Sequence, residues 1–314
     1  MGGEAQAEAF ARDLLVRQGI CLPEGEVRRH PVTGGDTSAA FRLEGSRGSF
    51  FVKWAESAKA DVLAAEAEGL RALGEALQAA VPPEGEHGAP RCGVPRVLAS
   101  GSQGGSGVAV LILAWIDAGP KDEKAAALLG RCLGELHRET ARSSPRRYGF
   151  FRDTYIGGLR QPNAWGESWP EFYGTRRLLP LIAAAGRRGV MPPSRRRRLE
   201  HLLKRLPELL PAHPPASLLH GDLWSGNWLA DPSGRVYLVD PAVFFGDREH
   251  DLAMVRLFGG FPPSFFTAYA DAYPPDPGFV EREPLYRLYY LLVHLVLFGE
   301  TYGPAVDRIL RTYA

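Results

Sequence analysis

The order of apolar and polar positions changes character at about residue 116. Before it, short runs of β-branched and aromatic residues dominate. Residues 41–43 and 49–53 read as two strands joined through a 45–48 turn, and residues 94–100 and 108–115 as two more. The last of these is apolar on both faces, which predicts a central strand. Two helical patterns lie in the same region. One covers residues 4–19 and ends at Gly19; the other covers 60–78, where Leu63, Ala67, Leu70, Leu73 and Leu77 form one stripe. Residues 82–93 hold three Pro and three Gly and predict an exposed loop. Beyond residue 116 helical spacing prevails, over 121–142, 165–188, 194–210, 262–273 and 283–300. One hairpin is embedded there: residues 228–230 and 236–239 flank Asp231-Pro232-Ser233-Gly234, which is strong turn chemistry. No internal repeat is present. The pattern predicts an α+β chain in two parts, a sheet-rich 1–116 and a mainly helical 117–314.

The chain has 314 residues, 45% hydrophobic and 23% charged, enough for a substantial core and unlike a disordered protein. A net charge of +1 gives no field that would draw it to nucleic acid or an anionic membrane. Arg195 to Arg198 is a local charge run, read as a solvated helix start; a nucleic-acid-binding reading would rest on it alone. Residues 285–298 are the most apolar stretch, but Arg287 and His294 interrupt it, so a buried helix is expected rather than a membrane span. The N-terminus lacks the layout of a signal peptide. Cys21, Cys92 and Cys132 are odd in number and far apart, with neither metal spacing nor the look of a disulfide framework. A reducing, cytoplasmic setting is expected. Oligomeric state is not legible.

Candidate chemistry concentrates between Leu219 and Phe261. In H-G-D-L-W-S-G-N, Asp222 lies five residues before Asn227 on a loop containing Gly221 and Gly226. Asn227 precedes the first hairpin strand and Asp240 ends the second. In an antiparallel hairpin these two ends are neighbours. An acid, an amide oxygen and a second acid in one small volume suit Mg²⁺, which takes few protein oxygens and leaves room for phosphate. Asp222 is the candidate base that orients and deprotonates an attacking hydroxyl. Trp224, between base and amide, is expected to wall the acceptor pocket. Glu249 and Asp251 are read as structural, holding the catalytic loop, and His220 as a packing and hydrogen-bonding residue.

Lys53 ends the strand F-F-V-K. On a helical wheel of residues 60–78, Glu66 falls between Leu70 and Leu73 on the apolar face, whereas Glu68 falls on the wet face. A carboxylate on a buried stripe needs a cation, and Lys53 is the nearest candidate. The pair would aim Lys53 at nucleotide phosphates. Gly34 and Gly35, followed by Asp36-Thr37-Ser38, are placed to put backbone N–H groups over phosphates, although they match neither G-x-G-x-x-G nor the Walker pattern.

The order Lys53, Glu66, H-G-D-x-x-x-x-N and Asp240 is similar to the protein-kinase-like fold, in the branch that phosphorylates small molecules. H-G-D-L-W-S-G-N, D-P-A-V-F-F-G-D-R-E-H-D-L-A-M, L-F-G-G-F and Q-P-N-x-W resemble the fructosamine kinase (ketosamine 3-kinase) family. The resemblance spans about residues 10–302. It implies a two-lobed fold and ATP-dependent phosphorylation of the 3-hydroxyl of a ketosamine, after which the unstable phosphate decomposes and the amine is released. It also implies Asp222 as base, Asn227 and Asp240 as Mg²⁺ ligands, Lys53 as the phosphate-binding lysine with Glu66 its partner, and Ala114, Trp115, Ile116 and Asp117 as the hinge for adenine. The alternatives are a kinase of another small hydroxylated amine, aminoglycoside- or choline-kinase-like, and a nucleotide-binding scaffold without turnover.

Overall fold

The computed structural model describes residues 2–20, 27–32, 38–45, 48–81, 91–144 and 147–313. Gly34, Gly35, Cys21 and most of the 82–93 segment lie outside the described residues. After helix α1 (Gly3–Arg17) come strands β1 (Arg28–Val32), β2 (Ala39–Gly45) and β3 (Gly48–Glu56), helix α2 (Ala60–Ala80), and strands β4 (Cys92–Gly93), β5 (Val97–Ser102) and β6 (Val108–Ala114). Five of these strands make an antiparallel sheet in the order β1-β2-β3-β6-β5. β6 is interior, as its two-sided apolar run requires. Val108, Val110 and Ile112 pack with Ala7, Ala11 and Leu15 of α1. The alternate residues Ala109, Leu111 and Leu113 pack with Leu63, Ala67 and Leu70 of α2. Each fully buried Leu on these faces contributes roughly 1.5–3 kcal/mol. β1 carries no apolar alternation to announce it: its sequence R-R-H-P-V is mostly exposed, and Pro31 is tolerated because the strand is an edge.

The rest of the chain is mainly helical. Helix α3 (Glu123–Ser143) starts where Asp122 accepts from Ala125 N at 2.8 Å. A small hairpin, β7 (Thr154–Ile156) and β8 (Leu159–Gln161), turns through Gly157 and Gly158, both at positive φ as a two-residue hairpin loop prefers. Helix α4 (Trp169–Phe172) passes through a π-helical turn, Tyr173–Leu178, into α5 (Leu179–Arg187), followed by α6 (Pro193–Leu209). In that turn the buried Arg177 donates to Pro162 O and Asn163 Oδ1, which gives the Q-P-N segment a structural role. Strands β9 (Ala216–Leu219), β10 (Trp228–Ala230), β11 (Val236–Leu238) and β12 (Phe244–Asp247) precede helices α7 (Glu249–Leu257), α8 (Pro263–Ala272), α9 (Phe279–Phe298) and α10 (Gly303–Tyr313). Among the described residues, no helix is long and apolar enough to cross a membrane.

Two expectations are corrected. Arg195, the first residue of the basic run, is buried rather than solvated, donating to Asp307 Oδ1 at 2.9 Å, Glu300 Oε1 at 2.7 Å and Val190 O. Its charge is neutralised within the chain, while Arg196 and Arg197 stay exposed. The three cysteines are not all unpaired, for Cys92 and Cys132 form a disulfide across 40 residues of sequence, with Cα atoms 6.4 Å apart. Linear spacing hides this pair. The contact arises because β4 leaves the N-terminal sheet and runs parallel to β11, on which α3 also packs.

Candidate active site

The hairpin of β10 and β11 pairs Trp228 with Leu238 and brings Val239 N to Asn227 O at 3.1 Å. Asn227 and Asp240 therefore emerge side by side. The Asn227 side chain turns back to the loop carrying Asp222, where Nδ2 donates to Asp222 O at 2.8 Å and to Asp222 Oδ2 at 3.3 Å. With its nitrogen so committed, the amide oxygen is the group left to meet a cation. Asp240 sits at φ 54°, a left-handed conformation that Asp tolerates better than most residues and that collects at functional sites. Burial raises the Asp222 carboxyl well above the usual range; the charges of Asp240 and Asp251 push it further, and the Asn227 hydrogen bond opposes them.

Lys53 ends inside the same volume. Its Nζ lies 2.8 Å from Glu66 Oε1 and 2.6 Å from Asp240 Oδ1. The wheel argument is met by the geometry, since Glu66 turns inward to Lys53 while Glu68 stays at the surface beside Arg71. Burial alone would lower the Lys53 ammonium, but the Glu66 and Asp240 carboxylates outweigh it and hold it above the ordinary lysine range. Burial pushes the Glu66 carboxyl up to about 7, with Lys53 pulling down and Asp240 adding to the rise. Lys53, Glu66 and Asp240 thus form one contiguous cluster, with the ammonium between the two carboxylates.

The loop that presents Asp222 is fixed from behind. Asp251, fully buried on α7, accepts from His220 N at 2.7 Å and Gly221 N at 2.8 Å, and faces His137 Nε2 at 3.3 Å. This is the loop-holding role expected of it; Glu249 instead pairs with Arg282 of α9. His220 donates Nε2–H to Val239 O at 2.9 Å, and its Nδ1 accepts from Asp222 N at 3.2 Å, which ties the loop to the end of β11. Gly221 stands at φ 81°, where a Cβ would collide with Ala242 O. Gly260 of the F-G-G-F segment packs against Ser225 of the same loop, leaving no room for a side chain.

Two cavities meet at Trp224. One, of about 420 Å³, is lined by Phe51, Lys53, Ala114, Trp115, Ile116, Asn227 and Asp240. The other, of about 440 Å³, has Asp222 together with Phe258, His294, Leu297, Phe298 and Tyr302. Trp224 lines both and is 42% exposed. Asp117, the fourth hinge position, does not line the first cavity; its Oδ1 accepts from Trp115 Nε1 at 2.9 Å. A larger cavity of about 610 Å³, beside Arg91, Lys124 and Arg131, contains none of these residues. Among the described residues, no group of three or more His, Cys, Asp or Glu could hold a metal. The donors available are one carboxylate and one amide oxygen, a set that fits Mg²⁺ completed by phosphate oxygens and not a closed structural metal.

Comparison with known proteins gives the family. A family model described as fructosamine kinase matches residues 24–314. A curated relative from Lactiplantibacillus plantarum, “Probable ketoamine kinase”, is 39% identical over 294 residues, covering 93% of this chain and 96% of its own length. A relative of the same description from Thermus thermophilus is 38% identical over 298 residues, 94% of this chain and 96% of its own. Among solved structures, a protein assigned as a fructosamine-3-kinase from Thermobifida fusca superposes with a TM-score of 0.77 at 29% identity, covering 96% of this chain and 98% of that one. The amicoumacin kinase hAmiN, solved with AMP-PNP, Ca²⁺ and Ami, shares the fold at a TM-score of 0.58 and 13% identity, covering 98% of this chain and 95% of its own.

Proposed function

Because the chain belongs to the fructosamine kinase family, whose members phosphorylate sugar–amine adducts with ATP, we propose that it transfers the γ-phosphoryl group to the 3-hydroxyl of ketosamines and so initiates their deglycation. The reading rests on one observation. The cavity holding Asp222 has aromatic and aliphatic walls, and Asp222 is the one carboxylate among its lining residues. A polycationic acceptor such as an aminoglycoside would call for several acids. A sugar carrying one amine suits apolar and ring-faced walls instead.

In this reading ATP lies in the cavity between the N-terminal lobe, 1–116, and the C-terminal lobe, 117–314, with adenine against residues 114–116. Lys53 meets the phosphates, and Glu66 keeps its ammonium aimed. Asn227 and Asp240 would hold Mg²⁺, which when bound offsets charge on the phosphate oxygens. Asp222 takes the proton from the 3-hydroxyl as that oxygen bonds to the γ-phosphorus; the bond from the γ-phosphorus to the β–γ bridging oxygen breaks, and ADP leaves. Trp224 keeps acceptor and nucleotide on their own sides. The 3-phosphate then decomposes and frees the amine.

The test is to incubate the protein with Mg-ATP and, separately, fructosyl-lysine, ribulosyl-lysine and an aminoglycoside, and to follow ADP and phosphorylated product. Phosphate on C3 of either ketosamine is expected. Turnover of the aminoglycoside alone, or of none of the three, would overturn the assignment.

A further inference from the structure

Helix α9 carries a side chain that the resemblance leaves without a role. Tyr290 is fully buried, and its hydroxyl lies 3.1 Å from Gly221 O and 2.7 Å from His250 Nδ1. A carbonyl only accepts, so the hydroxyl spends its one proton on Gly221 O. His250 must then donate through Nδ1–H. That tautomer leaves Nε2 as a bare lone pair, and Nε2 is the His250 atom without a hydrogen-bond partner. Burial drives the His250 imidazole down to about 3, with Asp251 opposing and Arg177 adding, so the ring stays neutral and the arrangement holds across the working pH range.

The two peptides that flank Gly221 are therefore pinned separately. Asp251 Oδ1 takes the N–H of the His220–Gly221 peptide at 2.8 Å, and Tyr290 takes the carbonyl of the Gly221–Asp222 peptide. Gly221 lies between them at φ 81° with no space for a side chain, and the N–H of the Gly221–Asp222 peptide is held in turn by His220 Nδ1 at 3.2 Å, so Tyr290 fixes the carbonyl side of that peptide. The same helix continues into the acceptor cavity. His294 donates from Nδ1 to Tyr290 O at 2.8 Å, and Leu297 and Phe298 line the cavity with Asp222.

We propose that Tyr290 is a positioning residue for Asp222: its hydroxyl, oriented by His250, locks the Gly221–Asp222 peptide and ties the base to the helix that walls the acceptor. The inference rests on the reading of Asp222 as base. It adds a second anchor, supplied by α9, to the one that α7 provides through Asp251.

The experiment compares Tyr290→Phe with Tyr173→Phe. Tyr173 is an equally buried tyrosine whose hydroxyl donates to a backbone carbonyl, Leu285 O, at 2.7 Å, away from the catalytic loop. Tyr290→Phe loses two buried hydrogen bonds and Tyr173→Phe one, so Tyr290→Phe should lose the more stability in urea, and the comparison that decides is the kinetic one. Tyr290→Phe is expected to lower kcat with fructosyl-lysine by about tenfold while the KM for ATP stays within about twofold, and Tyr173→Phe to leave both unchanged. In an Asp222→Ala background, Tyr290→Phe should cost nothing further, because there is no base left to position. His250→Gln supplies a second variant should Tyr290→Phe fail to fold; it keeps Tyr290 in place but removes the group that orients its hydroxyl, with an expected loss of about threefold in kcat alone. Equal kcat in the Tyr290 and Tyr173 variants would overturn the inference, as would a full loss persisting without Asp222 or, where Tyr290→Phe does not fold, an unchanged kcat in His250→Gln. Full turnover in Asp222→Ala itself would sink the functional reading first, a distinguishable result.

Discussion

Lys53 Nζ lies 2.6 Å from Asp240 Oδ1, a contact made across 187 residues of sequence. The proposed phosphate-binding cation is thus already in contact with a proposed metal ligand before either meets its substrate. In the proposed reading, nucleotide binding would exchange this contact for one to phosphate, with Glu66 keeping Lys53 in place during the exchange. Glu66→Gln should lower kcat/KM for ATP by roughly ten- to hundredfold, on the scale of a hydrogen bond to a charged group. Thermal stability should move little, because Lys53 retains Asp240. Steady-state kinetics and a melting curve on one preparation check both halves; a large fall in melting temperature without a kinetic effect would assign Glu66 to the fold alone.

Asp222 should titrate in the activity profile. It must be ionised to accept a proton, and burial with the charges of Asp240 and Asp251 holds its carboxyl above the ordinary range. The acid limb of kcat/KM against pH is expected to have its midpoint above the roughly 3.9 of a free aspartate. Asp222→Asn should lower kcat by roughly 10²–10⁴. Initial rates across pH in a constant-ionic-strength buffer decide the first; a limb at the ordinary aspartate value would assign it to another group.

The same raised carboxyl has a thermodynamic sign. The folded state holds the Asp222 proton more tightly than the unfolded chain, so the favourable contribution is complete below the unfolded value of roughly 3.9 and is lost as pH rises through the higher folded value. Asp222→Asn does not titrate. Its stability relative to the native chain should therefore grow over that window and level off above it. Urea unfolding midpoints of the two proteins at stepped pH measure the difference directly; a gap that narrows as pH rises would refute the sign.

Trp224 borders both cavities, so its removal should not act on one substrate alone. Trp224→Ala is expected to raise the acceptor KM by roughly tenfold, the scale of a lost aromatic face contact, and to increase ATP hydrolysis in the absence of acceptor. Trp224→Phe should restore most of both. A change confined to the ATP constants would place Trp224 outside the acceptor wall.

Cys132→Ser removes the link to Cys92. A closed loop of this size contributes about 2–4 kcal/mol through the unfolded chain, so the urea midpoint should fall accordingly. Reductant should lower the midpoint of the native chain and leave that of the variant unchanged. Equal midpoints for the two proteins under oxidising conditions would show that the bond does not stabilise the fold.

What could be read before the structure was local or periodic. Asn227 and Asp240 were legible because a short hairpin makes neighbours of its open ends, and Asp222 because it lies five residues from Asn227. The Lys53–Glu66 pair followed from a helical wheel and the need of a buried acid for a cation. Contacts set by tertiary packing were not legible. Tyr290 reaches Gly221 over 69 residues, and in the sequence it is one aromatic among many in a helix apolar nearly all round. Arg195 looked like its exposed neighbours because nothing near it in sequence marks Glu300 and Asp307 as partners. The β9–β12 pair was hidden for a similar reason: each strand has four residues, and they meet across the whole catalytic loop.

The crossing of β4 out of the N-terminal sheet has a mechanical consequence. Cys92 is fastened to α3, Gly93 runs beside Tyr237, and farther on Gly119 N bonds Ala230 O at 2.7 Å. The chain is clamped to the helical half on both sides of the sheet's last two strands. A swing of the sheet over the nucleotide would have to flex at residues 94–96 and 115–118, two short spans joined by the bond from Ala114 N to Arg96 O. In the proposed reading, nucleotide entry and the wall offered to adenine would then share a single pivot.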